Sequence, residues 1–195
     1  MKIEDVLIAF VEGSMDILEF ERFFFLSNEM EPFLKAIDSI PEYVDEVDLY
    51  QYLIRRNFKS PGDAVTIHSL FAWILEQLGV PCKPTKHYER LYDVLLKVQP
   101  KWLDVPSEYL SQFGKAFQEM SKGEFKKFVS ERLRNDFCYE KTPPKWIQNP
   151  TWPMANGVPL KFLDQKKIDS QHDETWCYRF SNGKTGEIIS IFQSA

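Results

Sequence analysis

Residues 142–153 read TPPKWIQNPTWP, and this stretch divides the chain into two parts of different character. Its prolines exclude a regular helix, because proline lacks an amide donor and fixes its own backbone angle. Trp146 and Trp152 lie in this stiff segment. They could present their rings to a ligand or partner, or the segment could be a strap that buries both. We favour the strap, since a rigid connection with large apolar anchors docks at low entropic cost.

Upstream of the strap, the spacing of apolar residues predicts a series of short helices. The clearest runs over residues 60–78, where Ser60 is the expected N-cap and Pro61 takes the first helical position. Its apolar residues follow the i, i+3, i+4, i+7 pattern of a core helix. Nearer the N-terminus, Ser14 is expected to cap a helix that buries Phe20.

Downstream of the strap, the pattern changes to strands. Residues 160–163, 175–180 and 187–192 are short runs rich in β-branched and aromatic residues. The last two runs are separated by a segment that contains Asn182 and Gly183, a strong turn signal. We therefore predict an antiparallel sheet at the C-terminal end.

Length and composition fit one globular chain with a real core. The protein has 195 residues, 44% of them hydrophobic and 15% aromatic, which excludes disorder for most of it. The predicted fold is α+β, with a helical domain over 1–141. We expect residues 142–195 to form the strap and a small antiparallel β subdomain that packs on the helical body.

The apolar runs are shorter than the roughly 20 residues of a membrane span, and acidic residues stand where a secretion signal would carry basic ones. We expect a cytoplasmic protein that does not bind membranes.

Few residues offer catalytic or metal chemistry. The three cysteines are widely spaced, which is typical neither of a disulfide framework nor of a metal site. A cysteine nucleophile needs a contacting base and an oxyanion site, and the pair Cys82 and His87 carries no signal of either. His172, Asp173 and Glu174 could supply metal ligands but are more typical of a solvated turn. We expect no catalytic residue, metal or cofactor, while an enzyme centred on Cys82 or His172 stays open as an alternative.

The charge is unevenly distributed along the chain. The net charge is −5, but residues 1–48 alone hold 13 acidic and three basic residues. The overall acidity argues against nucleic-acid binding, whereas a local acidic surface could steer a basic protein partner. Tyrosines interleaved with these acids are favoured interface anchors. The candidate partner-binding residues are Glu29, Glu31, Asp38, Glu42, Tyr43, Asp45, Glu46, Asp48 and Tyr50. The alternative is that these charges serve helix ends or are neutralised within the fold.

Several segments resemble a group of bacterial cytosolic proteins of the polymorphic-toxin immunity type. The resemblance rests on Ser60-Pro-Gly62, QPKWLD at 99–104, PPKWIQNPTWP at 143–153 and GVPLKF at 157–162. It implies a helical N-terminal region, the proline–tryptophan strap and a β-rich tail. It further implies an immunity protein that neutralises a co-encoded toxin. Together with the acidic segment, this leads us to predict a non-enzymatic protein that occludes a basic toxin domain. The resemblance implies no catalytic residue. An intracellular adaptor or regulatory domain with another partner is the alternative function.

Overall fold

A computed structural model describes residues 2–169 and 174–194 and confirms an α+β fold. The chain divides into two compact units, Met1–Asp93 and Val94–Ala195, which we call the first and second units. This division falls within a helix, whereas the change from helices to strands follows residue 142 as the sequence predicts. The units therefore do not coincide with a division at 141/142. Aromatic packing is the reason, because Phe137, the C-cap of the last helix, contacts Trp152 of the strap at 5.5 Å between ring centroids.

The first unit is helical. Its helices are α1 (Ile3–Glu12), α2 (Ile17–Leu26), α3 (Met30–Lys35), α4 (Leu49–Ile54) and α5 (Pro61–Gln77), and α6 (His87–Val98) begins in it. Ser60 caps α5 and Pro61 begins it, as predicted. Phe10 of α1 and Phe20 of α2 stack at 4.2 Å between centroids, and Phe71 of α5 meets both edge-on. This aromatic contact joins three helices into one core.

The cap of α2 differs from the sequence prediction. Asp16, not Ser14, is the N-cap, and its carboxylate accepts the backbone N–H groups of Leu18 and Glu19. Glu19 accepts the N–H of Asp16 in return, which completes a capping box. The Ser14 hydroxyl instead donates to the Ala9 carbonyl at the end of α1. The apolar spacing of α2 was sufficient to locate the helix. It was not sufficient to choose between Ser14 and Asp16 as the capping residue.

The second unit combines short helices with two antiparallel sheets. Its helices are α7 (Ser107–Leu110), a 3-10 turn (Ser111–Phe113), α8 (Gly114–Glu119) and α9 (Lys122–Asp136). Its strands are β1 (Met154–Ala155), β2 (Val158–Pro159), β3 (Lys161–Asp169), β4 (Glu174–Ser181) and β5 (Ile188–Ser194). β3, β4 and β5 form a sheet in that order, and β1 pairs with β2. The three predicted strands are confirmed. The β1–β2 hairpin was not predicted, although Asn156 and Gly157 both adopt the positive φ of its turn.

The proline–tryptophan segment packs as a strap on the second unit. Trp152 is buried, and its indole N–H donates to the Leu160 carbonyl at 2.8 Å. Trp146 stacks on Tyr178 of β4 at 4.6 Å, and its N–H donates to the Trp102 carbonyl. Both tryptophans therefore anchor the segment by ring packing and by a hydrogen bond. The sequence left open whether this segment is a strap or presents both rings to a ligand or partner. This arrangement corresponds to the strap.

Candidate functional site

The predicted partner-binding residues lie in the first unit, between the end of α2 and the start of α4. Helices α3 and α4 pack against each other, which gathers the segment on one part of this unit. Five of its carboxylates are exposed, namely those of Glu29, Glu31, Asp38, Glu42 and Asp45. Glu31 pairs with Lys35 one helical turn later at 2.6 Å, and this bond raises the pKa of the Lys35 ammonium group. The other four form no ion pair within the described part of the chain.

Three predicted members are used by the fold itself. Asp48 caps α4, because its carboxylate accepts the N–H of Gln51 at 2.8 Å. Glu46 is half-buried and pairs with Arg55. Tyr50 is also half-buried, and its ring stacks on Phe24 at 5.6 Å between centroids. These side chains hold the segment in place and present little surface to a partner, as the alternative interpretation of the acidic residues anticipated.

Large apolar side chains are exposed in the same segment. Val47 is 82% exposed and Leu26 is 81% exposed. Tyr43 and Phe25 each expose more than half of their surface. Phe25 contacts the ring of Phe24, on which Tyr50 stacks. Only Tyr43 was among the predicted residues. Phe25 and Leu26 lie in the last turn of α2. The sequence of this helix alone does not show that their side chains remain exposed.

We name the exposed part of this segment the acidic surface. It consists of Phe25, Leu26, Glu29, Glu31, Asp38, Glu42, Tyr43, Asp45 and Val47. The carboxylates create a negative electrostatic field, and the apolar side chains provide hydrophobic surface whose burial is favourable. A surface of this composition suits a protein with complementary cationic and apolar groups.

A groove of about 580 Å³ in the first unit contains Cys82 and His68. His68 is buried, and its Nε2 lies 2.9 Å from the Val11 carbonyl, to which it donates as the neutral ring. Burial lowers the pKa of His68 and keeps it neutral. Burial, together with the carboxylates of Glu12 and Glu76, raises the pKa of the Cys82 thiol. A nucleophilic cysteine requires the opposite shift, so the groove does not activate Cys82.

The other candidate ligands do not assemble either. Burial and the neighbouring His68 lower the pKa of His87. His172 and Asp173 lie outside the described residues. Glu174 pairs with Lys167 at 3.3 Å and accepts the indole N–H of Trp176, and both contacts lower its pKa. Over residues 2–169 and 174–194, no three side chains of the types His, Cys, Asp and Glu come together as metal ligands.

The second unit contains a cleft of about 550 Å³ that the sequence did not reveal. It lies between the C-terminal end of α9, the β1–β2 hairpin and the turn before β5. Tyr109 donates its hydroxyl to Asp136, and the Arg132 guanidinium lies 2.8 Å from the same carboxylate. Burial and the Asp136 contact raise the pKa of Tyr109. Arg132 and Asp136, which both line this cleft, therefore neutralise each other.

No helix in the described part of the chain combines the length and the apolar character that crossing a bilayer requires. Comparisons with protein families, with curated proteins and with solved structures found no match to this chain.

Proposed function

We propose that the protein is a non-enzymatic binding protein of the immunity type, which occludes a co-encoded bacterial toxin through its acidic surface. The observation that supports this proposal is that one segment combines exposed large apolar side chains with carboxylates that form no ion pair in the described part of the chain. The resemblance of the sequence to immunity-type proteins supplies the class of partner. A toxin domain with a cationic, partly apolar face is the partner that this chemistry fits.

The carboxylates would act mainly during the approach of the partner. Asp38, Glu42 and Asp45 are exposed and without an ion pair in the described residues, so their field extends into solvent. Such a field attracts a cationic partner before contact and raises the association rate constant by about 10-fold to 10³-fold at low salt. Salt screens the attraction, since the Debye length falls from about 10 Å at 0.1 M to about 3 Å at 1 M.

The apolar members would supply the contacts of the bound state. Tyrosine is enriched among the residues that dominate binding energy, and exposed aliphatic side chains gain by leaving water. Tyr43 and Val47 flank Asp45 within the same loop, so an approaching partner would meet charge and apolar area together. By contrast, Asp48 caps α4 and Tyr50 stacks on Phe24, so we assign them a supporting role.

Co-expression with the product of the neighbouring gene provides the test, and a neighbouring gene that encodes no toxin overturns the proposed function. The pair is expected to co-purify, and the protein is expected to protect cells from the toxin. The variant Glu42→Lys with Asp45→Lys should associate at least about tenfold more slowly at low salt, with a smaller difference at high salt. Its control is Glu119→Lys with Glu187→Lys, which changes net charge equally at exposed positions of the second unit.

The possible outcomes distinguish a failure of the proposed function from a wrong assignment of the binding surface. Absence of both binding and protection overturns the proposed function. Binding that the two double variants slow equally, or that shows no dependence on salt, overturns the assignment of the acidic surface while leaving the function to another face.

A further inference from the structure

Strand β5 forms one edge of the three-stranded sheet, and half of its backbone groups point away from that sheet. The N–H of Asn182 donates to the Glu187 carbonyl at 2.8 Å, and the β4–β5 register continues from that pair. Bonding to a neighbour alternates along an antiparallel strand. The N–H and C=O groups of Ile188, Ser190 and Phe192 therefore point outward. Within residues 2–169 and 174–194, no group bonds to them.

The far end of β5 is already covered. The side-chain amide of Gln148 in the strap donates to the Ser194 carbonyl, which is the next outward group in the alternation. Ser194 thus has a partner from its own chain. The open edge is confined to Ile188, Ser190 and Phe192.

The two outer strands of this sheet differ in how they resist pairing with another chain. β3 carries Lys161, Lys166 and Lys167, begins with a bulge between Phe162 and Asp164, and meets Tyr139 in a parallel bridge. Charged residues, bulges and covering segments are the usual devices that block an exposed edge. β5 has no charged residue and no proline from Ile188 to Ser194, and its pairing with β4 is free of bulges. Over residues 188–192, the described structure shows none of these devices.

We propose that β5 pairs antiparallel with β5 of a second copy of this chain, about a two-fold axis at Ser190. Ser190 then faces Ser190 of the second copy, and Ile188 faces Phe192 of the second copy. All three outward residues of each strand lie in facing pairs, and each such pair exchanges two N–H···O bonds. The proposal concerns the second unit and does not depend on the acidic surface of the first.

The side chains favour this register over its neighbours. Ile188 is 57% exposed and Phe192 is 59% exposed, and both project from the same face of β5 as Ser190. Centring the axis on Ser190 sets the isoleucine directly against the phenylalanine in both halves of the junction. Moving the axis by one residue toward the C-terminus sets Phe192 against Ser190 and directs Ile188 to Ser194, whose carbonyl Gln148 already occupies. Moving it the other way sets Phe192 against Gly186. Apolar cross-strand pairing thus selects the centred register.

Sedimentation equilibrium of the full chain over a dilution series tests the pairing. The wild type is expected to show twice the chain mass at high concentration and to dissociate on dilution. Ser190→Lys brings two ammonium groups together on the axis, so its mass should stay at that of one chain. Ser190→Thr, which keeps an uncharged residue suited to a strand, is the matched control and should dimerise like the wild type. Unchanged circular dichroism in both variants shows that the fold is retained.

A cysteine placed on the axis tests the register. Facing residues in a hydrogen-bonded antiparallel pair have Cα atoms about 5.5 Å apart, which is within disulfide range. Ser190→Cys is therefore expected to form a covalent dimer under mild oxidation. Ile188→Cys faces a phenylalanine and should cross-link no more than the wild type, which reports the background from exposed Cys138. A wild type of single-chain mass throughout, a dimer that Ser190→Lys leaves intact, or equal cross-linking of both cysteine variants would each overturn the proposal.

Discussion

One buried amide, that of Gln193 in β5, forms three of the hydrogen bonds that attach the strap to the sheet. Its Oε1 accepts the backbone N–H groups of Ile147 and Gln148 at 3.3 and 3.2 Å, and its Nε2 donates to the Asn149 carbonyl at 3.0 Å. Gln193 is one of the few polar side chains that the structure buries. Gln193→Leu keeps the approximate shape of this side chain but removes all three hydrogen bonds.

The expected loss of stability follows from these three contacts. A neutral hydrogen bond contributes about 1 kcal/mol net, so three of them set a ceiling of roughly 3 kcal/mol. Ile147 keeps a second partner in the Tyr178 hydroxyl at 3.1 Å, and Gln148 and Asn149 are exposed residues to which water can bond instead. We therefore expect Gln193→Leu to lower the free energy of unfolding by about 2 kcal/mol.

Urea denaturation followed by tryptophan fluorescence measures this effect, because four of the five tryptophans lie in the second unit. Gln165→Leu is the matched control. Gln165 is half-buried and also bonds to the strap, through the N–H and C=O of Lys145, but Lys145 is exposed and water can replace these bonds. Its loss should stay below about 0.5 kcal/mol, the usual range of surface substitutions. Equal effects of the two leucine variants would refute the idea that the buried amide holds the strap.

Two further measurements test the cores of the two units. Trp152→Ala should lower the free energy of unfolding by about 3–5 kcal/mol, as expected for a buried indole. The half-exposed Trp176 should tolerate the same change better, and equal losses would contradict the burial argument. Burial lowers the pKa values of His68 and His87, so the unfolded chain takes up protons first as the pH falls. Stability should be complete above the ordinary histidine pKa and decline below it. His68→Gln, which keeps a donor for the Val11 carbonyl, should show a shallower decline, and an unchanged pH profile would exclude His68 as its source.

Local patterns predicted the secondary structure where the signal was strong. The cap and proline at Ser60 and Pro61 located the start of α5, and runs of β-branched and aromatic residues located the three strands of the main sheet. These features depend on residues near one another in the sequence. The β1–β2 hairpin was missed because strands of two residues carry no periodicity, and Ser14 was chosen over Asp16 because both stand at the entrance to α2.

The candidate site was only partly accessible from the sequence. Charge counting located the acidic segment, since the number of carboxylates does not depend on the fold. Counting could not show that Asp48 caps α4 or that Glu46 pairs with Arg55. Nor could it show that Leu26 and Val47 remain exposed, because an apolar residue in a sequence is ordinarily expected to be buried.

The sequence by itself determined that helices precede a proline–tryptophan segment and a β-rich end, because caps, prolines and periodicity act within a few residues. Only the tertiary structure decided which acids face solvent, which backbone groups of β5 find no partner among the described residues, and how the strap is held. Gln193 illustrates the reason, since its partners lie more than 40 residues away along the chain. Contacts of that range arise when the chain packs, and no local pattern specifies them.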